Sequence, residues 1–193
     1  MATTNLSWAD AANELEGQGF ERFHIELAKY NARQLMPAFP TDTWRDEVEE
    51  FAQISWAEGE YIETVRREIS PLLASVPSDV DDFIDWFEEL KVTGPGQGDE
   101  LFPWLAQHAS REDMLWFLTQ EVAGEAGFDD LLAMTQVKMP VTAKLEMARN
   151  YWDEMGRGRD AAMHGPLLER LARYLDIDAK PEQVVAESLA LGN

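Results

Sequence analysis

Apolar residues recur along most of the chain at the three- and four-residue spacing of α-helices, with polar residues between them. Alternating runs typical of half-buried strands do not occur, and there is no internal repeat. The pattern predicts an all-α protein. The expected helices lie near residues 20–36, 43–74, 79–91, 110–125, 140–155, 165–175 and 181–190, with a break in the second around Gly59.

Helix starts are marked by a hydroxyl residue followed three positions later by an acidic residue. Such a pair can satisfy free N–H groups of the first helical turn. Pro140 and Pro181 suit first helical positions, where a missing N–H costs nothing. The three pairs are Thr43 with Asp46, Ser78 with Asp81, and Ser110 with Asp113.

Two glycine-rich segments interrupt the helical pattern. Gly94, Pro95, Gly96 and Gly98 predict an internal loop over residues 92–103, and a second break follows at 156–158. The glycines at 94–98 are interpreted as a linker and not as a phosphate-binding loop, because no strand accompanies them. We expect a single all-α domain over residues 1–193, with 92–103 as an internal loop.

The composition is that of an acidic globular protein. Apolar residues make up 45% of the 193 positions, and the net charge is −21. This charge repels nucleic acids and anionic lipids, so neither is expected as a partner. The first residues lack the basic start and apolar run of a secretory signal, and no apolar stretch is long enough to span a membrane. A cytoplasmic protein is expected.

The chain contains no cysteine. This excludes disulfide scaffolds, thiolate zinc sites, iron–sulfur clusters and thiol nucleophiles. Any metal must be held by His, Asp and Glu, which suit iron, manganese or magnesium.

Two carboxylates occupy a helical stripe that should be apolar. Met114, Leu118, Glu121 and Glu125 are spaced four, three and four residues apart, so they share one helix face. A buried carboxylate needs a partner, a proton or a cation. Burial is expected for Glu121. For Glu125, burial and a solvated position at the helix end near Gly124 remain equally open.

Glu154 and His164 also lie on semi-apolar stripes. Glu154 ends a helix, where its negative charge opposes the helix dipole. His164 is in register with Leu168 and Leu171 at the start of the following helix, although a lone His on such a face is more often a hydrogen-bonded core residue. Inward-facing Glu and His on successive helices are typical of carboxylate-bridged di-iron sites.

Several segments together resemble the iron-containing redox enzyme family of the haem-oxygenase-like di-iron oxidases. The agreement extends over about residues 110–175, and the chain is similar to the N-terminal portion of that family. The segments that carry the resemblance are 116–125, 127–131, 144–146, 148–158 and 163–165.

The resemblance implies a helical bundle that holds two ferrous ions and uses dioxygen to oxidise a small organic substrate. It places the first ligand on Glu121 (or on Glu125), and a Glu/His pair on Glu154 and His164. The family's further Glu and its His-x-x-x-Asp-x-x-His motif have no counterpart in this sequence, where His24 and His108 are expected to be structural or surface residues. We therefore expect an incomplete iron site in a bundle that lacks its last helices.

Two functional hypotheses follow. The favoured one is a non-haem di-iron oxidoreductase whose partners are dioxygen and a small molecule, and whose uncovered apolar faces make it a homo-oligomer. The alternative is a non-catalytic helical module that binds a small molecule or a partner protein. Five tryptophans could line such an interface, although aromatic residues in helices are more often core: Trp44, Trp56, Trp86, Trp104 and Trp116.

Overall fold

The computed structural model describes residues 17–36, 38–39, 41–125 and 127–193. Within these ranges the regular structure is helical and contains no strand, which confirms the all-α prediction. Residues 1–16, where no secretory signal is predicted, lie outside the described part. The α-helices are α1 (Gly17–Leu35), α2 (Trp44–Leu73), α3 (Val80–Thr93), α4 (Leu101–Gln107), α5 (Arg111–Gly124), α6 (Phe128–Thr135), α7 (Val141–Glu154), α8 (His164–Leu175) and α9 (Ala186–Gly192).

Short 3-10 turns connect the last helices, at Gly156–Gly158, Asp160–Ala162 and Pro181–Gln183. The predicted helix over 181–190 is therefore a 3-10 turn followed by α9. None of the described helices is long and apolar enough to cross a bilayer.

Two of the predicted helix caps can be compared directly with the structure. At the start of α5, the Asp113 carboxylate accepts hydrogen bonds from the N–H and hydroxyl of Ser110, and the Ser110 hydroxyl accepts from the Asp113 N–H. This reciprocal pair confirms the predicted capping box. At α3 the predicted N-cap, Ser78, was wrong. The N-cap is Asp79, whose carboxylate accepts hydrogen bonds from the N–H groups of Asp81 and Asp82.

The structure shortens the expected 92–103 loop. Helix α3 continues to Thr93 and α4 begins at Leu101, so residues 94–100 alone connect them. Pro103 lies in the first turn of α4, where its missing N–H has no helical partner to lose. Helix α2 runs unbroken through Gly59, contrary to the expected break. Helix α6 was not predicted. It begins directly after Gly127, and that glycine has a left-handed backbone conformation.

The contacts divide the chain into two compact units. The described part of the first unit contains residues 17–20 and Arg45–Met114, and the second unit contains Glu21–Trp44 and Leu115–Asn193. The single-domain expectation stays a prediction.

Helices α2 and α3 of the first unit expose many large apolar side chains. Such exposed surface is what the predicted self-association would need, and that prediction stays untested. These include Val48, Phe51, Trp56, Ile62, Leu72, Val80, Phe83, Ile84, Phe87 and Val92.

The five tryptophans named above do not form a core. Trp44, Trp56, Trp104 and Trp116 are all exposed, and Trp86 is half-buried. The expectation that these side chains are core residues was therefore wrong.

The core of the second unit is built around one face of α1, which buries Phe23, His24, Leu27 and Tyr30. His24 is a structural residue and His108 is exposed, as the sequence predicted.

The C-terminal segment of the second unit is hydrogen-bonded to two earlier helices. The Val185 N–H donates to Gln120 Oε1 on α5 at 2.9 Å. The side-chain amide of Asn193 donates to the backbone carbonyl of His24 on α1 at 3.0 Å and lies 3.2 Å from His24 Nδ1. An ion pair of 2.7 Å joins Lys29 of α1 to Glu182. These contacts determine which face of α5 points inward.

Replacing Gln120 with Ala should destabilise the protein by about 1–3 kcal/mol, because the buried Gln120 side chain is removed and the part-buried Val185 N–H loses its acceptor. Glu121→Ala is the matched control on the neighbouring exposed position, and it should change the free energy of unfolding by less than about 0.5 kcal/mol. Urea unfolding followed by circular dichroism measures both values. Equal effects of the two substitutions would contradict the assigned orientation of α5.

His24 makes the stability depend on pH. Burial lowers the pKa of His24 from 6.5 to about 4, against the opposing attraction of Glu187. The unfolded chain then binds more protons than the folded one between these values, so the free energy of unfolding falls as the pH drops from 6.5 towards 4. The loss should reach about 3 kcal/mol, at 1.36 kcal/mol per pKa unit.

This prediction is checked by urea unfolding at several pH values for the unchanged chain, His24→Gln and His108→Gln. Because all three chains carry the same carboxylates, their difference isolates the histidine. The His24 variant should lose part of the acid sensitivity, and the exposed His108 control should keep it. An unchanged pH dependence in His24→Gln would refute the prediction.

Candidate metal centre

An open pocket of about 540 Å³ lies in the second unit, between the end of α5, the start of α6, the end of α7 and the start of α8. Its walls are acidic at one side and apolar at the other. No lysine or arginine lines it. The lining residues are Glu125, Phe128, Asp129, Glu154, His164, Gly165, Leu167, Leu168 and Leu171.

Glu154 and His164 form the closest pair in this pocket. Glu154 is the last residue of α7 and His164 the first of α8. Glu154 Oε2 lies 2.6 Å from His164 Nδ1, and the carboxylate side chain is 13% exposed against 60% for the imidazole. Because a carboxylate accepts, the Nδ1–H donates to it, and in the neutral imidazole Nε2 is the ring nitrogen with a lone pair.

The chain between these two residues reverses in a tight turn. Three consecutive residues have positive φ angles: Gly156 at 60°, Arg157 at 54° and Gly158 at 77°. For Arg157 the left-handed conformation costs about 1–2 kcal/mol, and its side chain is held by a 2.7 Å ion pair from Nε to Asp153 Oδ1. The turn brings the backbone of Gly156 against residues 162 and 163.

Asp129 is a pocket residue that the sequence reasoning missed. It lies in the first turn of α6, and its carboxylate oxygens lie 3.9 and 4.0 Å from where a Cβ of Gly165 would stand. The Asp129 carboxylate therefore lies near the start of α8, where the helix dipole favours negative charge. The sequence signal that could have identified Asp129 was its position in segment 127–131, one of the segments that carry the family resemblance.

The two candidate carboxylates of α5 are placed differently. Glu125 lines the pocket and is exposed, whereas Glu121 is exposed and lies outside the pocket. The expected burial of Glu121 was wrong. Gln120 is the buried residue of α5, and one residue along a helix turns a side chain by about 100°. The structure thus brings together Glu125, Glu154 and His164 of the predicted set, but not Glu121.

The pocket residues are not assembled into a ready metal cage. Among the residues that the structure describes, no three His, Asp or Glu side chains converge closely enough to hold an ion. The donors are one contacting pair, Glu154 with His164, and two further carboxylates on the same walls, Glu125 and Asp129.

Comparison with known proteins finds one family. Residues 115–193 match the family described as iron-containing redox enzymes, whereas no curated protein and no solved structure matches the chain. The match lies further towards the C-terminus than the expected 110–175, and it contains every residue that lines the pocket. The match confirms the resemblance to iron-containing redox enzymes for residues 115–193, which make up less than half of the chain.

Proposed function

We propose that the second unit carries the iron centre of a dioxygen-activating di-iron oxidase that acts on a small organic metabolite. The observation that carries the proposal is the Glu154–His164 contact at a pocket inside the matched region. The proposed ligands are Glu125 and His164, with Asp129 as an addition. Glu154, which the resemblance places in the ligand set, lies on the Nδ1 side of His164 and is assigned here to supporting that ligand.

The residues of the pocket fit iron in kind. Imidazole nitrogen and carboxylate oxygens are ligands that non-haem ferrous iron accepts, and no thiolate is needed. Their arrangement fits in part, because Glu154 and His164 already meet while Glu125 and Asp129 have to turn towards them. Binding would bring these side chains together, and the attraction of the cation would offset the repulsion among the carboxylates.

Each group has a distinct task in this proposal. Glu154 fixes the ring orientation of His164 through Nδ1 and so directs Nε2 into the pocket. Leu167, Leu168 and Leu171 supply an apolar wall on α8, which can hold the hydrocarbon part of a substrate and displace water. Bound ferrous iron would supply the electrons that reduce dioxygen.

A second candidate is a non-catalytic module that binds a small molecule in the same pocket. Two observations favour it: the exposed position of Glu121 and the lack of a preassembled metal cage among the described residues. Against it, His164 contacts a carboxylate and no arginine, as a metal ligand does. Iron binding separates the two candidates.

Anaerobic ferrous loading followed by desalting and elemental analysis tests the centre. The unchanged chain should retain iron, and His164→Ala should lose it because the nitrogen donor is gone. Glu154→Gln should retain less, with affinity about 10–100-fold weaker if it acts through the His164 ring.

Two variants control for the loss of surface carboxylates in general. Glu146→Gln removes an exposed carboxylate of the same helix α7, which pairs with Arg149. Glu121→Gln tests the predicted ligand that the structure leaves outside the pocket. Both should retain iron. No retained iron in the unchanged chain would leave the binding module as the function, and iron loss in Glu121→Gln would return Glu121 to the ligand set.

Dioxygen consumption tests the reaction class. The ferrous-loaded chain should take up dioxygen faster than the same concentration of ferrous ion in buffer, as measured with an oxygen electrode. His164→Ala should fall to the buffer rate, because it no longer holds the ion. A loaded chain that retains iron but consumes dioxygen at the buffer rate would refute the oxidase and leave a metal-binding protein.

A further inference from the structure

The segment that joins Glu154 to His164 is more constrained than its length requires. Nine residues lie between them, and the first part is the left-handed turn Gly156–Gly158. A non-glycine residue in this conformation is uncommon, and such strain is often retained where it serves a site. Gly156 is buried although the residues on both sides of it are at least partly exposed.

Gly156 is the point of closest approach in this segment. A Cβ atom at this position would stand 2.5 Å from the carbonyl carbon of Ala162 and 2.7 Å from the nitrogen of Met163. Both atoms belong to the backbone directly before His164, so they cannot yield as a flexible side chain could. Any larger residue at 156 must therefore displace this backbone, to which His164 is directly attached.

The other side of the segment is held by α8. Arg170 Nη2 donates to the backbone carbonyl of Ala161 at 3.0 Å, and Arg159 Nε donates to the carbonyl of Gly156 at 3.4 Å. The backbone of residues 160–162 is therefore fixed against α8 while Gly156 packs against its end. The distance between Glu154 and His164 depends on how closely these two stretches approach.

We propose that Gly156, within the left-handed turn Gly156–Gly158, is a positioning residue that sets Glu154 Oε2 against His164 Nδ1. The hydrogen bond in turn aims Nε2 at the pocket. The effect on iron rests on the proposed function, whereas the positioning of the imidazole is a property of the metal-free chain and can be measured separately.

The test compares Gly156→Ala with Gly158→Ala in the full-length, metal-free chain. Both substitutions place Ala at a positive φ angle, so they share the backbone strain. They differ in what the new Cβ meets. At Gly158 it faces the end of the exposed Trp152 ring, with the nearest atom at 3.0 Å, and that side chain can move aside.

The measurement is ¹⁵N–¹H NMR of the histidine rings, with the His164 signals assigned through His164→Gln. In the unchanged chain, His164 should show a protonated, hydrogen-bonded Nδ1. Gly156→Ala should lose this signature and Gly158→Ala should keep it. The buried His24 ring reports in the same spectrum whether the second unit is still folded. Retention of the signature in Gly156→Ala, or its loss in both variants, would overturn the proposal.

A second variant keeps the test decisive if Gly156→Ala does not fold. One additional glycine inserted after Gly158 introduces no Cβ clash but lengthens the connection. It should preserve the His24 signals and lose the His164 signature, and a retained signature with intact His24 would overturn the proposal.

Iron binding separates failure of this proposal from failure of the proposed function. If the unchanged chain binds ferrous ion, Gly156→Ala should bind it about 10–100-fold more weakly and Gly158→Ala within a few-fold. If the unchanged chain binds none while the NMR result holds, the positioning role stands and the iron centre does not. Equal ferrous affinity in Gly156→Ala and the unchanged chain would remove the link between the turn and the metal.

Discussion

The Val185 N–H donates to the side chain of Gln120, and the Asn193 amide donates to the backbone of His24, so the C-terminal segment is attached to both α5 and α1. These bonds lie between positions 65 and 169 residues apart in the chain. Because buried polar groups must be hydrogen-bonded, they leave α5 little freedom to rotate.

The orientation of α5 has a direct consequence for the candidate metal centre. With Gln120 inside, Glu121 points to solvent and Glu125, at the end of the helix, reaches the pocket. A carboxylate next to a buried amide is thus kept out of the core, where its desolvation would be costly. The centre is left with its acids at the ends of helices, where side chains can move towards a cation.

Helix ends also place two of the pocket's carboxylates beside groups that favour negative charge. Asp129 lies in the first turn of α6 and near the first turn of α8, where N–H groups favour negative charge. Glu154 lies against the imidazole that begins α8. The acidity of the pocket is therefore matched in part by its own helices.

The sequence alone determined the helical class, most helix positions and the resemblance to a family, because these depend on local periodicity, on caps such as Ser110 with Asp113, and on matched segments. It also predicted Glu154 and His164 as a pair. It missed α4 and α6, which are short and begin beside glycine or proline, where local signals favour loops.

Only the tertiary structure decided which residues of α5 face inward and which carboxylates share a pocket. A stripe containing Glu121 and a stripe containing Gln120 are both compatible with the sequence, and a hydrogen bond to Val185 selects the second. The inclusion of Asp129 depends likewise on its approach to Gly165, at the start of another helix. Contacts between residues distant in sequence made these choices, and no local pattern encodes them.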